Sequence, residues 1–356
     1  MLLQRCRMRD FQKTIEVVQT NCHIADARHA REMSMCNYLL GMRELYIWEH
    51  EFPPTRPLLK TDLSQWLMQR EMFWEELEEK DYSPIPVGKL EFDPFDIQGI
   101  NAMLEPHGLV YGGGLGRWGK PHFFLGQLLR SATVHGLNLR VSGCEYARDI
   151  TAAPAALREG TLFLRTDALQ RWLAEKIEIW SVHEADGALK SAVDCYTLLG
   201  DRAGLLPRMA EQESEVLILH EVGEAMAEPM LGEPWREMLL SFTNRRVIFF
   251  ARSVRDNLAD CLSTLPELLK REQTCSIHFY FSNLEGLRRS LFPQLVSAYE
   301  HWRDSGDMRR LQTAVDAGSA HWQQVARQLL STWQQDPKNA QALFDHWVEQ
   351  HGALAL

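Results

Sequence analysis

The sequence predicts a mainly α fold: a helical bundle formed by N- and C-terminal helices, with a small α+β unit inserted between them. Three observations carry this expectation. Apolar residues recur at helical spacing over long stretches before Pro53 and after about Asp186. Between them, segments such as "LNLRVSG" and "GTLFLRT" alternate with the two-residue period of half-buried strands. The terminal helices also carry apolar faces that need partners, and the middle unit is too short to cover them all. The expected divisions are 1–84 for the N-terminal helices, 85–182 for the α+β unit with a glycine-rich loop, and 183–356 for a C-terminal helical domain packing with the N-terminal helices.

Each element has its own signal. From Ala25 to His50 the periodicity reads as one helix, ended by the paired prolines Pro53 and Pro54. A second helix, "TDLSQWLMQREMFWEELEEK", starts near Thr61 or Asp62. The proline-rich "DYSPIPVGKLEFDPFD" reads as a linker or domain boundary. "GLVYGG" and "PHFFLGQLL" are further strand candidates, and a hairpin is expected to turn near His135–Gly136. "FDIQGINAMLEPHG" and "DALQRWLAEKIEIW" read as helices. The C-terminal half carries several more, one of them running through "REMLLSFTNRRVIFFARSVRDNLADCLSTLPELLKR". Another ends at Gln335 and restarts after Pro337.

Composition narrows the function classes. A chain of 356 residues with a formal net charge of −10 is a poor non-specific binder of nucleic acid. Apolar runs such as Val247–Ala251 fall far short of the roughly 20 residues that span a bilayer. Charge interrupts the opening "MLLQRCRMRDFQK", so no signal-peptide core is expected. The seven cysteines are odd in number and form no C-x-x-C pair, so reduced thiols in the cytoplasm are the expectation. A protein partner is compatible with all of this.

Chemistry is concentrated in "LILHEVGEAMAEPML". On a helix, His220 and Glu224 are four apart and Glu221 and Glu224 three apart, so the three crowd one side. The string H-E-x-x-E departs from the zincin H-E-x-x-H by placing Glu224 where the second imidazole belongs. Carboxylates at this spacing with an imidazole suit a di-iron or di-manganese helical site at least as well. Asp256 and Asp260, four apart, and Glu44 complete the pool of candidate ligands for Fe, Mn or Zn. Structural ion pairs would use the same residues: Arg252, Asp256 and Asp260 form an i,i+4 series.

A second stretch, "YGGGLGRWGKPHFF", satisfies the spacing G-x-x-x-x-G-K of a phosphate-cradling loop. It lacks the following hydroxyl, and Pro121 removes an N–H that a phosphate would use. The expectation is a turn between strands, with Arg117, Trp118, Lys120 and His122 as candidate anion- or partner-binding groups. No G-x-S-x-G elbow is present, so nucleophilic catalysis has no support.

Together, "YGGGLGRWGKPHFF", "LHEVGEAM" and "RDNLADCLSTLPELL" resemble an uncharacterised bacterial protein family over most of the chain. The resemblance implies a bacterial cytosolic origin and brings no activity, cofactor or catalytic residue. Two functions therefore compete. One is a helical-bundle protein whose buried carboxylates and histidine bind one or two transition-metal ions, as an oxidoreductase would. The other is a non-catalytic interaction or scaffold protein with structural ion pairs and a partner-contacting glycine-rich loop. Burial and arginine pairing discriminate between them.

Overall fold

A computed structural model of the chain describes residues 10–54, 56–116, 119–158, 160–182, 186–200, 204–350 and 355–356. It divides into two units, Met1–Val182 and His183–Leu356. In the first unit the helices are α1 (Gln12–His29), α2 (Met35–Glu49), α3 (Lys60–Glu75), α4 (Ile97–Leu104) and α5 (Thr166–Ser181). Its strands are β1 (Ile85–Val87), β2 (Leu90–Phe92), β3 (Leu109–Leu115), β4 (Pro121–Val134), β5 (Leu137–Arg148), β6 (Ala155–Arg158) and β7 (Thr161–Arg165).

Among the described residues, five strands form a mixed sheet in the order β3-β4-β5-β7-β6, parallel only between β5 and β7. β4 and β5 turn at His135 and Gly136, both with positive φ, as the sequence suggests. The supposed linker instead folds into the hairpin β1–β2, because Gly88 at φ 63° supplies the left-handed residue of a two-residue turn. The helix expected from Ala25 to His50 is broken between α1 and α2. Ser34 takes an extended conformation there and accepts a hydrogen bond from Asn37 N at 3.3 Å, an N-cap that starts α2 afresh.

The mainly α expectation, with one bundle built from both ends of the chain, is wrong. α1 is buried against the sheet through Val18, Cys22 and Ala25, which pack with Ile100, Tyr111, Phe123 and Leu125. Its other face, Ile24, Ala27 and Ala30, meets Met42, Leu45, Trp66 and Trp74 of α2 and α3. The N-terminal helices thus find their apolar partners inside the first unit. The sheet covers what it was expected to be too small to cover, because β4 and β5 run to 14 and 12 residues, far past the short alternating segments visible in the sequence.

The described elements of the second unit are helical: α6 (Ala188–Leu198), α7 (Leu205–Ser241), α8 (Arg245–Ala259), a π-helical turn (Asp260–Thr264), α9 (Leu265–Lys270), α10 (Thr274–Asn283), α11 (Gly286–Leu291), α12 (Pro293–Ser305), α13 (Arg309–Gln335) and α14 (Ala340–Glu349). Their core is rich in aromatics, with Trp235, Phe250, Phe292, Trp322 and Phe344 all buried. The long run from Arg236 breaks at Phe242, where Asn244 caps α8 through Arg246 N at 2.9 Å. The stop at Gln335 and the restart after Pro337 are as expected. No described helix is long and apolar enough to cross a membrane.

One glycine sets the spacing of this unit. A Cβ on Gly223 of α7 would stand 2.2 Å from the Ala259 carbonyl oxygen of α8, so only glycine lets the two backbones approach. Gly223→Ala is expected to force them apart and to lower stability by about 1–3 kcal/mol, as overpacking does. Chemical denaturation that gives the same midpoint as wild type would refute this close-approach argument.

Candidate functional site

The close approach at Gly223 brings Asp260, the residue after Ala259, to His220, one helical turn before Glu224. Asp260 opens the π turn, and the sequence supplies a local cause for that turn. Pro266 has no N–H to offer the Leu262 carbonyl, and its ring crowds that carbonyl, so the preceding helix opens. His220 Nδ1 lies 2.7 Å from Asp260 Oδ1, and Nε2 lies 3.6 Å from Glu224 Oε1. Arg255 Nη2 donates to Glu224 Oε1 at 2.6 Å and to Asp256 Oδ1 at 3.3 Å. One ligand atom each from His220, Glu224 and Asp256 lies within 4.8 Å of the others, and all three residues are half-buried.

Asp260 itself is 1% exposed. It accepts hydrogen bonds from Thr264 Oγ1 at 3.1 Å, from the Tyr280 hydroxyl at 2.9 Å and from Arg288. Burial alone would raise its pKa, but the Arg288 guanidinium and His220 outweigh burial and hold it at about 2. The reciprocal effect acts on His220. Burial would lower its pKa, yet Asp260 and Glu224 raise it well above the ordinary value, so the ring is an imidazolium. Burial likewise opposes ionisation of Glu224, and His220 and Arg255 still pull its pKa down. Three carboxylates, Glu224, Asp256 and Asp260, thus face three cations, His220, Arg255 and Arg288.

Of the six ligand candidates named from sequence, His220, Glu224, Asp256 and Asp260 come together. Glu221 is half-buried beside them and acts on Arg255 at longer range. Glu44 lies in the first unit, where it pairs with Arg43 at 3.1 Å and burial raises its pKa. Sequence reasoning missed Arg255, Tyr280 and Arg288. Arg255 was legible one residue before Asp256. Tyr280 and Arg288 are 20 and 28 residues from Asp260 and gave no signal.

The glycine-rich stretch forms a turn between β3 and β4, as expected, closed by Gly116 N on the Lys120 carbonyl at 2.7 Å. Arg117 and Trp118 lie outside the described residues. The Lys120 ammonium points inward, 3.0 Å from Asp26 Oδ1 and 3.2 Å from Thr151 Oγ1, and the residue is buried. Burial pushes the Asp26 carboxyl up to about 6 despite this lysine. His122 Nδ1 lies 3.0 Å from Asp149 Oδ2, and Asp149 also accepts from the N–H groups of Phe123, Thr151 and Ala152. Burial would raise its pKa, but the His122 hydrogen bond and charge, with the charges of Lys120 and Arg165, hold Asp149 below the usual carboxylate range.

Among the described residues, the second unit holds one more buried acid. Glu213, 1% exposed, accepts from the Tyr196 hydroxyl and from Ser276 Oγ, the latter at 3.1 Å. Burial lifts its pKa to about 7, and the two hydrogen bonds only partly counter it. Nearby, Cys195 and Cys275 form a disulfide. The expectation of reduced thiols therefore fails for this pair, because the fold brings residues 80 apart in sequence to adjacent helices. Cys22 and Cys261 are free and buried, and Cys36 and Cys144 are free and exposed.

Residues 13–165 match the model of the N-terminal domain of a family of unknown function (DUF6866), and residues 170–351 match that of its C-terminal domain. The chain belongs to this family, in keeping with its resemblance to an uncharacterised one. No curated protein and no solved structure matches it.

Two outcomes follow from the buried acids. Asp260→Asn leaves His220 and Arg288 without their counter-charge and is expected to cost about 3–5 kcal/mol in denaturant unfolding. A loss below about 1 kcal/mol, the size of an exposed pair, would mean that the network is solvated. For Glu213 the folded pKa lies above the unfolded one, so its contribution is complete below about pH 4.5 and is lost as pH rises through about 7. Across that window wild type should lose about 3 kcal/mol relative to Glu213→Gln, as linkage requires of a carboxyl that titrates near 7 folded and near 4.5 unfolded. Parallel stability–pH curves for the two proteins would contradict the assignment.

Proposed function

We propose that in this member of the family His220, Glu224 and Asp256 hold one divalent transition-metal ion. Asp260 is then the carboxylate that fixes the imidazole. The observation that carries this reading is the division of labour at His220. Nδ1 is committed to the buried Asp260, which leaves Nε2 as the ring nitrogen directed toward Glu224. A carboxylate that orients a histidine from behind is the usual support of a metal-binding imidazole. One imidazole and two carboxylates form an oxygen-rich set suited to Fe(II), Mn(II) or Zn(II). Three protein ligands also leave coordination positions for water and substrate, as catalytic sites do and structural zinc sites do not.

The chain's own residues set the conditions for loading. His220 must release its Nε2 proton, and Arg255, which donates to both Glu224 and Asp256, must swing away. The bound ion would supply Lewis-acid activation and, if it is iron or manganese, one-electron chemistry. An oxidoreductase activity therefore depends on which ion is bound.

The scaffold reading is favoured by one observation, the arginine pairing itself. Arg255 and Arg288 already neutralise the carboxylates, as structural ion pairs would. Metal analysis separates the two readings. Protein purified without chelator, or reloaded anaerobically with Fe(II), Mn(II) or Zn(II), should carry one ion per chain. Glu224→Gln and Asp256→Asn should abolish uptake, Asp260→Asn should weaken it by about 10–100-fold, and Glu44→Gln should leave it intact. Wild-type protein that takes up none of the three ions, with unchanged thermal stability in their presence, leaves the ion-pair scaffold as the function of these residues.

A further inference from the structure

The second unit joins α6 to α10 in two ways, one covalent and one polar. Cys195 and Cys275 are bonded to each other, with Cα atoms 5.4 Å apart. The residue after each cysteine, Tyr196 and Ser276 respectively, donates to the same buried carboxylate, Glu213 of α7. The disulfide and the Glu213 rung therefore sit on neighbouring faces of the same two helices.

The bond is not needed to hold the core. The main apolar cluster of the unit draws its buried residues from Val216 to Val348, and α6 adds only the partly buried Ala188. Within α6 itself Ala192 and Tyr196 alone are buried, and Leu198 is 87% exposed. A core of this size does not call for a covalent staple, unlike the cores of small secreted domains. Both cysteines are also only half-buried, outside the fully buried core. Reachable disulfides that the core does not require are the ones that exchange.

We infer that Cys195–Cys275 is a redox-active dithiol–disulfide pair that exchanges with small thiols and latches α6 onto α10. A thiolate of the reductant attacks one sulfur, the S–S bond breaks, and a mixed disulfide forms. The other cysteine leaves as a thiolate and takes a proton from water. A second reductant thiol then attacks the mixed disulfide and frees the remaining cysteine. Two electrons pass to the protein, and the reductant ends as its own disulfide. Throughout, the Tyr196–Glu213–Ser276 rung keeps the two helices in register, so the thiols stay close enough to re-form the bond. What reduction loosens is the part of α6 that precedes this rung.

The test uses the full chain in graded mixtures of reduced and oxidised glutathione. Mass-tag alkylation reads the thiols, and hydrogen exchange reads the helices. The inference expects a reversible two-electron titration of Cys195 and Cys275 with an unchanged far-UV spectrum. On reduction, amides of 188–198 should exchange faster by about tenfold or more, while those of α13 hold their protection. Cys195→Ser should show the fast exchange even in oxidised buffer. Three results would overturn it: reduction that occurs only together with global unfolding, α6 amides equally protected in both redox states, or cysteines that alkylate freely after oxidation by glutathione.

Discussion

An ionised carboxylate removed from water must be surrounded by donors, and the second unit is arranged to meet that demand at Asp260. Its donors come from different segments: His220 from α7, Thr264 from the π turn, Tyr280 from α10 and Arg288 from α11. His220 comes within reach where α7 and α8 approach at Gly223. The first unit answers the same demand with other means. Asp149 is satisfied by His122 and by the N–H groups of Phe123, Thr151 and Ala152, and Asp26 by Lys120 and the Ile150 N–H. Buried acids thus fix a loop in one unit and a helix junction in the other.

Stability alone does not account for such networks. A buried ion pair brings little net stabilisation, because desolvation offsets most of the attraction, and apolar residues of similar volume often do as well. What the network does supply is orientation. Asp260 holds one ring nitrogen of His220 and turns the other toward Glu224, while Arg255 holds Glu224 and Asp256 close together. The Arg255 guanidinium lies between the two carboxylates. The same carboxylates therefore serve the metal and the scaffold readings alike, and binding measurements are what separate them.

The sequence determined what depends on neighbours three or four residues away. Helical periodicity located most helices, the left-handed preference at His135–Gly136 located the hairpin, and the spacing of His220 and Glu224 and of Asp256 and Asp260 made each pair cofacial. Only the tertiary structure decided which faces meet. An apolar stripe specifies that a helix must be covered but not by what, so α1 gave no sign that it would insert between a sheet and the pair α2–α3. The length of β4 was equally hidden, since its exposed half loses the alternation that marks a strand. Tyr280, Arg288 and the Cys195–Cys275 bond depend on chain segments that meet only after packing, and no local pattern encodes a contact of that range.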